Sequence, residues 1–170
     1  MNVIFHTSVA AAITVSLIDA DTIEKSFLTR QNILTGILAF VIGIIFHGIL
    51  DYIPHCYPVN SKLDVIASLL FFGLGCWLLK KNYRLIFFFA FVGSIFPDVI
   101  DLSFKILNKQ LSLHLPMYHN FFPWHWTQYS GSIYNGLCDV STLNHIMIIF
   151  LIGVLLYRKR SDLHKILNKD

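Results

Sequence analysis

Apolar positions along this chain run in long, nearly unbroken stretches, without the alternation of a half-buried strand or the two-faced pattern of a surface helix. Four stretches stand out. Ile33–Ile53 is interrupted among ionisable groups only by His47 and Asp51. Leu63–Leu79 is shorter, with Asp64 at its mouth. Leu85–Leu102 is apolar until Pro97, Asp98 and Asp101, and Asn144–Tyr157 needs part of the preceding segment to reach across. A fifth stretch, Val3–Ile18, is weaker; it holds His6 and several small residues. No Lys or Arg precedes it, which excludes a standard signal peptide. A bilayer core takes about 20 mostly apolar residues per helix. The pattern therefore predicts an all-α fold: a polytopic transmembrane bundle of about five helices, with a long outer loop between helices 4 and 5 from Asn108 to Leu143. A connection of that length is expected to be functional or partly helical. Its aromatic residues, Tyr118, Trp124, Trp126, Tyr129 and Tyr134, suit the headgroup zone.

Composition narrows the class. Of the 170 residues 55% are hydrophobic and 14% charged, with a mean hydropathy of +0.63; soluble domains carry about 25% charge. A formal net charge of +3, thinly spread, makes no phosphate-tracking stripe, so no nucleic-acid partner is expected. With five spans, one side of the membrane collects ten Lys and Arg, among them Lys25, Arg30, Lys80, Lys81, Arg84 and Lys169, and the other side three. The positive-inside rule makes the richer side cytoplasmic, with the N-terminus outside. Residues 1–157 read as one transmembrane domain and 158–170 as a basic cytoplasmic tail that touches anionic lipid. Membrane lipid is thus the first partner; the oligomeric state is not legible.

The same topology sends the polar residues to one face. His6, His47, Asp51, His55, Asp98, Asp101, His114, His119, His125 and His145 all fall at the outer end, and only His164 of the eight His lies in the tail. Ionisable groups in membrane helices are costly, so a one-sided gathering suggests a shared site. His47 and Asp51 are four residues apart and share a helix face; Asp98 and Asp101, three apart, do likewise. Pro54 restricts Ile53 to extended backbone, which ends the second helix and leaves His55 on the turn. Pro97 is expected to disturb the fourth helix. His6 can approach from the first helix, and His119 and His125 from the long loop. Mixed imidazole and carboxylate donors suit a divalent metal such as Zn²⁺, Mn²⁺ or Fe²⁺ better than Ca²⁺, and this many ligands leaves room for two ions.

Plainer readings stand beside these. His114, His145 and His164 read as interfacial His. His47–Asp51 could be an internal hydrogen bond between packed helices, and Pro97–Asp98 a helix terminator. Phe87–Phe89 and Phe91 read as lipid contacts, and Gly36, Gly43, Gly73 and Gly75 as close-packing sites. Cys56 and Cys138 share the outer side and can pair if that compartment is oxidising; Cys76, within the third helix, stays reduced. Ser130-Gly131-Ser132 is a turn signal with no partner base.

The segment Gly93-Ser94-Ile95-Phe96-Pro97-Asp98-Val99-Ile100-Asp101 resembles the Pro-Asp-hydrophobic-x-Asp signature of the membrane-bound metal-dependent hydrolases, the inner-membrane group once described as LexA-binding. His6 matches that family's N-terminal His, and His47-Gly-Ile-Leu-Asp51 is similar to its His-x-x-x-Asp element. The family's His-Arg-Gly-x-Thr-His-Ser stretch has its nearest counterpart in His119-Asn-Phe-Phe-Pro-Trp-His125, one residue longer and without the Arg, Thr or Ser. The resemblance implies a multi-pass inner (plasma) membrane hydrolase with one or two divalent ions, Zn²⁺ or Mn²⁺ foremost. His6, His47, Asp51 and Asp98 would be the core ligands, Asp101 and His119 would complete the shell or hold a second ion, and His125 would act as general acid or base. A site at headgroup depth points to an ester or phosphoester of a lipid-like or membrane-linked substrate. The alternatives are a non-enzymatic metal-binding or ion-transport protein, and a haem-binding carrier with two His axial ligands, whose carboxylates would then lack a role.

Overall fold

The structure, a computed structural model, describes residues 1–19, 28–134, 136 and 138–167. Lys25 and Lys169, two of the charges that set the expected orientation, lie outside the described residues. Its regular elements are helical: α1 (Val3–Leu17), α2 (Arg30–Tyr52), α3 (Ser61–Leu78), α4 (Lys81–Leu111), a 3₁₀ turn at Pro123–His125, α5 (Asp139–Arg158) and α6 (Arg160–Leu167). Four of them, α2 to α5, are long and apolar enough to cross a membrane. Their outward faces carry Leu38, Val41, Leu70, Leu74, Ile149 and Phe150, all about half exposed or more. Such a continuous apolar exterior suits lipid, not water. At 15 residues α1 is about 22 Å long, short of the ~30 Å hydrocarbon core.

That short helix is the centre of the bundle. α1 touches α2, α3, α4 and α5, and His6, Thr7, Val9, Ala10, Ala12, Ile13, Thr14 and Val15 are buried. Its small residues let four neighbours approach, and its hydroxyls return to the helix backbone, as in Thr14 Oγ1 to the Ala10 carbonyl at 2.8 Å. The open N–H groups of its first turn go to a carboxylate from another helix. Asp64 of α3 accepts from Val3 N at 2.7 Å and Ile4 N at 3.0 Å, and from Asn2 Nδ2 at 3.1 Å. A negative charge there satisfies orphan donors and meets the positive end of the helix dipole.

α2 and α4 form the closest pair. A Cβ on Gly93 would lie 2.2 Å from the Phe40 carbonyl oxygen, and one on Gly43 2.8 Å from Ser94 N. The backbones therefore cross where no side chain fits, a few residues before His47 and Asp98. Gly36 and Gly75 abut Phe89 and Phe87, whereas Gly73 faces open space, so the expected packing role fails for Gly73. Pro97 does not break its helix. α4 runs through it for 31 residues, about 46 Å, and ends at Ser112 in the left-handed region (φ 52°). Phe87 and Phe91 are core residues stacked on Phe72, and among the expected lipid contacts Phe88 is exposed.

The long connection, residues 112–138, is tied down repeatedly. A disulfide joins Cys56 to Cys138. His55 N donates to the Gly131 carbonyl at 2.8 Å, Ile133 N to the His55 carbonyl at 2.8 Å, and Gly131 N to the Asp51 carbonyl at 2.8 Å. At the opposite end, the stretch after Arg158 folds as α6, with Ile166 buried and its carbonyl accepting from Lys80 N at 3.0 Å.

Candidate metal centre

Four donors from three parts of the chain converge at one end of the bundle. His47 and Asp51 come from successive turns of α2, Asp98 from α4, and His125 from the 3₁₀ turn. One ligand atom from each lies within 4.8 Å of all the others, a group that could hold a metal ion. His47 Nε2 is 3.2 Å from Asp51 Oδ2, 3.6 Å from Asp98 Oδ1 and 3.3 Å from His125 Nε2. His125 Nε2 is 3.2 Å from Asp51 Oδ2 and 3.3 Å from Asp98 Oδ1. Tetrahedral donors at Zn–N and Zn–O bond lengths of about 2.0–2.1 Å stand about 3.3 Å from one another. The spacings fit a coordination shell as they fit ion pairs and hydrogen bonds among these side chains.

The other nitrogen of each ring is held. His47 Nδ1 donates to the Ser94 carbonyl at 2.7 Å. That carbonyl belongs to the turn of α4 just before Asp98. His125 Nδ1 donates to Asp101 Oδ2 at 2.8 Å. Such contacts fix tautomer and ring direction and raise ligand basicity, as around metal-bound His in general. His47 is fully buried, and the side chains of His125 and Asp51 are 6% and 8% exposed; Asp98, at 21%, is the most open.

Asp101, expected to complete the shell or hold a second ion, lies outside the group of four and is engaged by the loop. Its oxygens accept from Phe121 N at 2.7 Å, Phe122 N at 2.9 Å and His125 Nδ1, so it binds the loop to α4 and aims His125, with both oxygens engaged. His119, expected beside Asp101, is exposed on the loop surface, outside the group of four. His125, expected as acid or base, turns Nε2 into the cluster. Trp124 packs on Gly48, where a Cβ would meet its ring at 2.7 Å, and carries the turn onto α2. The sequence offered no signal for that contact.

His6 borders the group without joining it. Its ring stacks on His47, centroids 4.1 Å apart, and Nε2 lies 3.4 Å from Asp51 Oδ1. Buried though it is, neither ring nitrogen makes a hydrogen bond. The Met1 nitrogen also meets Asp51 Oδ1. His145 is buried against Phe5, centroids 4.3 Å apart, away from the cluster, while His114 and His164 are exposed. His55 is buried beside the site, with Nδ1 on the Ile53 carbonyl at 2.8 Å and Nε2 3.2 Å from both Tyr57 Oη and Ser132 Oγ.

The electrostatics call for a positive charge at His125. Burial opposes an imidazolium there, but hydrogen bonds to Asp51, Asp98 and Asp101 outweigh it and hold the ring's pKa up at about 10. Burial has the upper hand at His55, whose pKa is pushed down to about 4, leaving it neutral. A large cavity, about 600 Å³, opens beside Asp51, Asp98 and His125. No family model, curated protein or solved structure matches this chain.

Proposed function

We propose that the chain is a membrane-embedded, metal-dependent hydrolase acting on an ester or phosphoester. The observation that carries this reading is the set of 3.2–3.3 Å spacings among His47 Nε2, His125 Nε2 and Asp51 Oδ2, with each imidazole oriented through its second nitrogen. Those three are the ligands. Two imidazoles and one carboxylate leave an open position on Zn²⁺ or Mn²⁺, as catalytic sites require. Asp98, farther from His47 at 3.6 Å and facing the cavity, would serve as the general base toward a water held there. The bound ion supplies a lowered water pKa and polarises the ester or phosphoryl oxygen. The Cys56–Cys138 disulfide supports an oxidising, exoplasmic location for this end, with the basic end cytoplasmic. The family resemblance of the Pro97–Asp101 segment, His6 and His47–Asp51 points the same way.

The test is hydrolysis of p-nitrophenyl phosphate and p-nitrophenyl acetate by purified protein in detergent. Activity on one of them that EDTA removes and Zn²⁺ or Mn²⁺ restores is the expected result. Asp98→Asn should keep the ion and lose about 10²–10⁴-fold in rate, the usual contribution of general base catalysis. Bound metal without metal-dependent turnover of either ester would favour a binding or transport protein.

A further inference from the structure

The cavity beside the cluster has two unlike ends. At one lie Asp51, Asp98 and His125, together with the hydroxyls of Tyr57, Ser130 and Ser132. Tyr57 Oη and Ser132 Oγ are 2.8 Å apart, and Ser130 Oγ donates to Ser132 Oγ at 2.9 Å. From there the cavity continues between α3 and α4 along Val65, Leu69, Phe91, Ile95, Val99 and Leu102. It exists because α3 is held to α1 through Asp64 and touches α4, its neighbour in sequence, less than it touches α1. Val65, Leu69 and Val99 are 46%, 56% and 51% exposed, so the slot opens sideways, on faces that meet lipid in a spanning helix.

Resting on the hydrolase reading above, we infer that this slot takes the hydrocarbon chain of an anionic phosphoester lipid, which slides in from the bilayer between α3 and α4. The chain fills the apolar stretch, and the phosphate comes to the end lined by Asp51 and His125, which would hold the cation. The Tyr57, Ser130 and Ser132 hydroxyls then hydrogen-bond the head group. With the cation that the reading above assigns to this end, charge complementarity would select an anionic head; the contacts of the hydrocarbon chain do not depend on that ion, and without it the polar end carries the carboxylates of Asp51, Asp64 and Asp98. Size excludes a packed helix: at about 10–12 Å across with its side chains, a helix fills 600 Å³ in fewer than about two turns. The slot lies within the roughly 300–1,000 Å³ range of small-ligand sites.

The experiment places the full chain in phosphatidylcholine vesicles containing phosphatidic acid with a photoactivatable diazirine in its acyl chain. Illumination is carried out in EDTA, and adducts are mapped by mass spectrometry. Adducts should concentrate on 65–69 and 91–102. Leu69→Trp and Val99→Trp, two independent fillings of the slot, should each lower that yield about fivefold or more, ~1 kcal/mol of chain binding, while labelling of α5 stays unchanged. Even labelling of the outward faces of α2, α3 and α5, indifferent to either Trp in protein that elutes as wild type, overturns the slot. Chelation keeps this result independent of the cation: absence of bound metal would refute the hydrolase reading and leave the slot standing, and the reverse outcome would do the opposite.

Discussion

At the scale of single residues, the centre depends on which nitrogen of each ring is occupied. Asp101 holds His125 through Nδ1 and two loop amides; removing a contact of this kind around a metal typically costs about 10–100-fold in affinity. Asp101→Ala is therefore expected to weaken metal binding by that factor, measured by titration, without altering the ligands themselves. The proton on His125 competes with the ion. With its pKa at about 10 in the metal-free site, binding releases a proton, and affinity should rise about tenfold per pH unit between pH 6 and 9. A pH-independent affinity would contradict this. His55 works with the opposite sign. Its folded pKa, about 4, lies below the ordinary 6.5, so as pH falls from 6.5 toward 4 the unfolded chain takes up a proton first and stability drops. Thermal unfolding across that window checks it. Four-residue and three-residue spacings made His47, Asp51, Asp98 and Asp101 legible in the sequence. The division of labour between Asp98 and Asp101, and between His119 and His125, was not, because one turn of helix and a loop path decide which side chain faces inward.

At the scale of elements, the weakest apolar stretch became the core helix. Val3–Leu17 looked marginal because a helix surrounded by other helices needs small residues and tolerates His6 and Thr14, whereas lipid-facing helices advertise themselves with Leu and Ile. Pro97 misled in the other direction: it predicts a break, yet α4 continues through it, and the Ser94 carbonyl in the turn before Asp98 accepts from His47. Asp64, visible only as a charge at a helix mouth, caps α1 from across the bundle. Asp64→Leu should destabilise by roughly 1–3 kcal/mol, the cost of orphaned buried donors, read by thermal unfolding in detergent. Gly93→Leu forces α2 and α4 apart at Phe40 and should cost about 1–3 kcal/mol or more, with metal affinity falling alongside. Loss of stability with affinity retained would show that the crossing does not set how α4, through Asp101, places His125 against His47.

At the scale of the whole molecule, hydropathy alone sufficed for an all-helical bundle whose long helices suit a membrane, and for polar groups collected at one end. What it could not supply was the slot between α3 and α4, since a gap is a property of how helices lean and not of any one of them. The Cys56–Cys138 bond ties the loop carrying His125 back to the end of α2, across 82 residues of sequence. The central claim is that this end holds a divalent cation. Its most direct test is the metal content of the purified chain, measured by elemental analysis beside His47→Ala and His125→Ala proteins of matched fold. The account expects a bound divalent ion in the wild type and its loss from both variants. A wild-type chain that stays metal-free after loading with Zn²⁺ and Mn²⁺, or variants that retain the full complement, would contradict it.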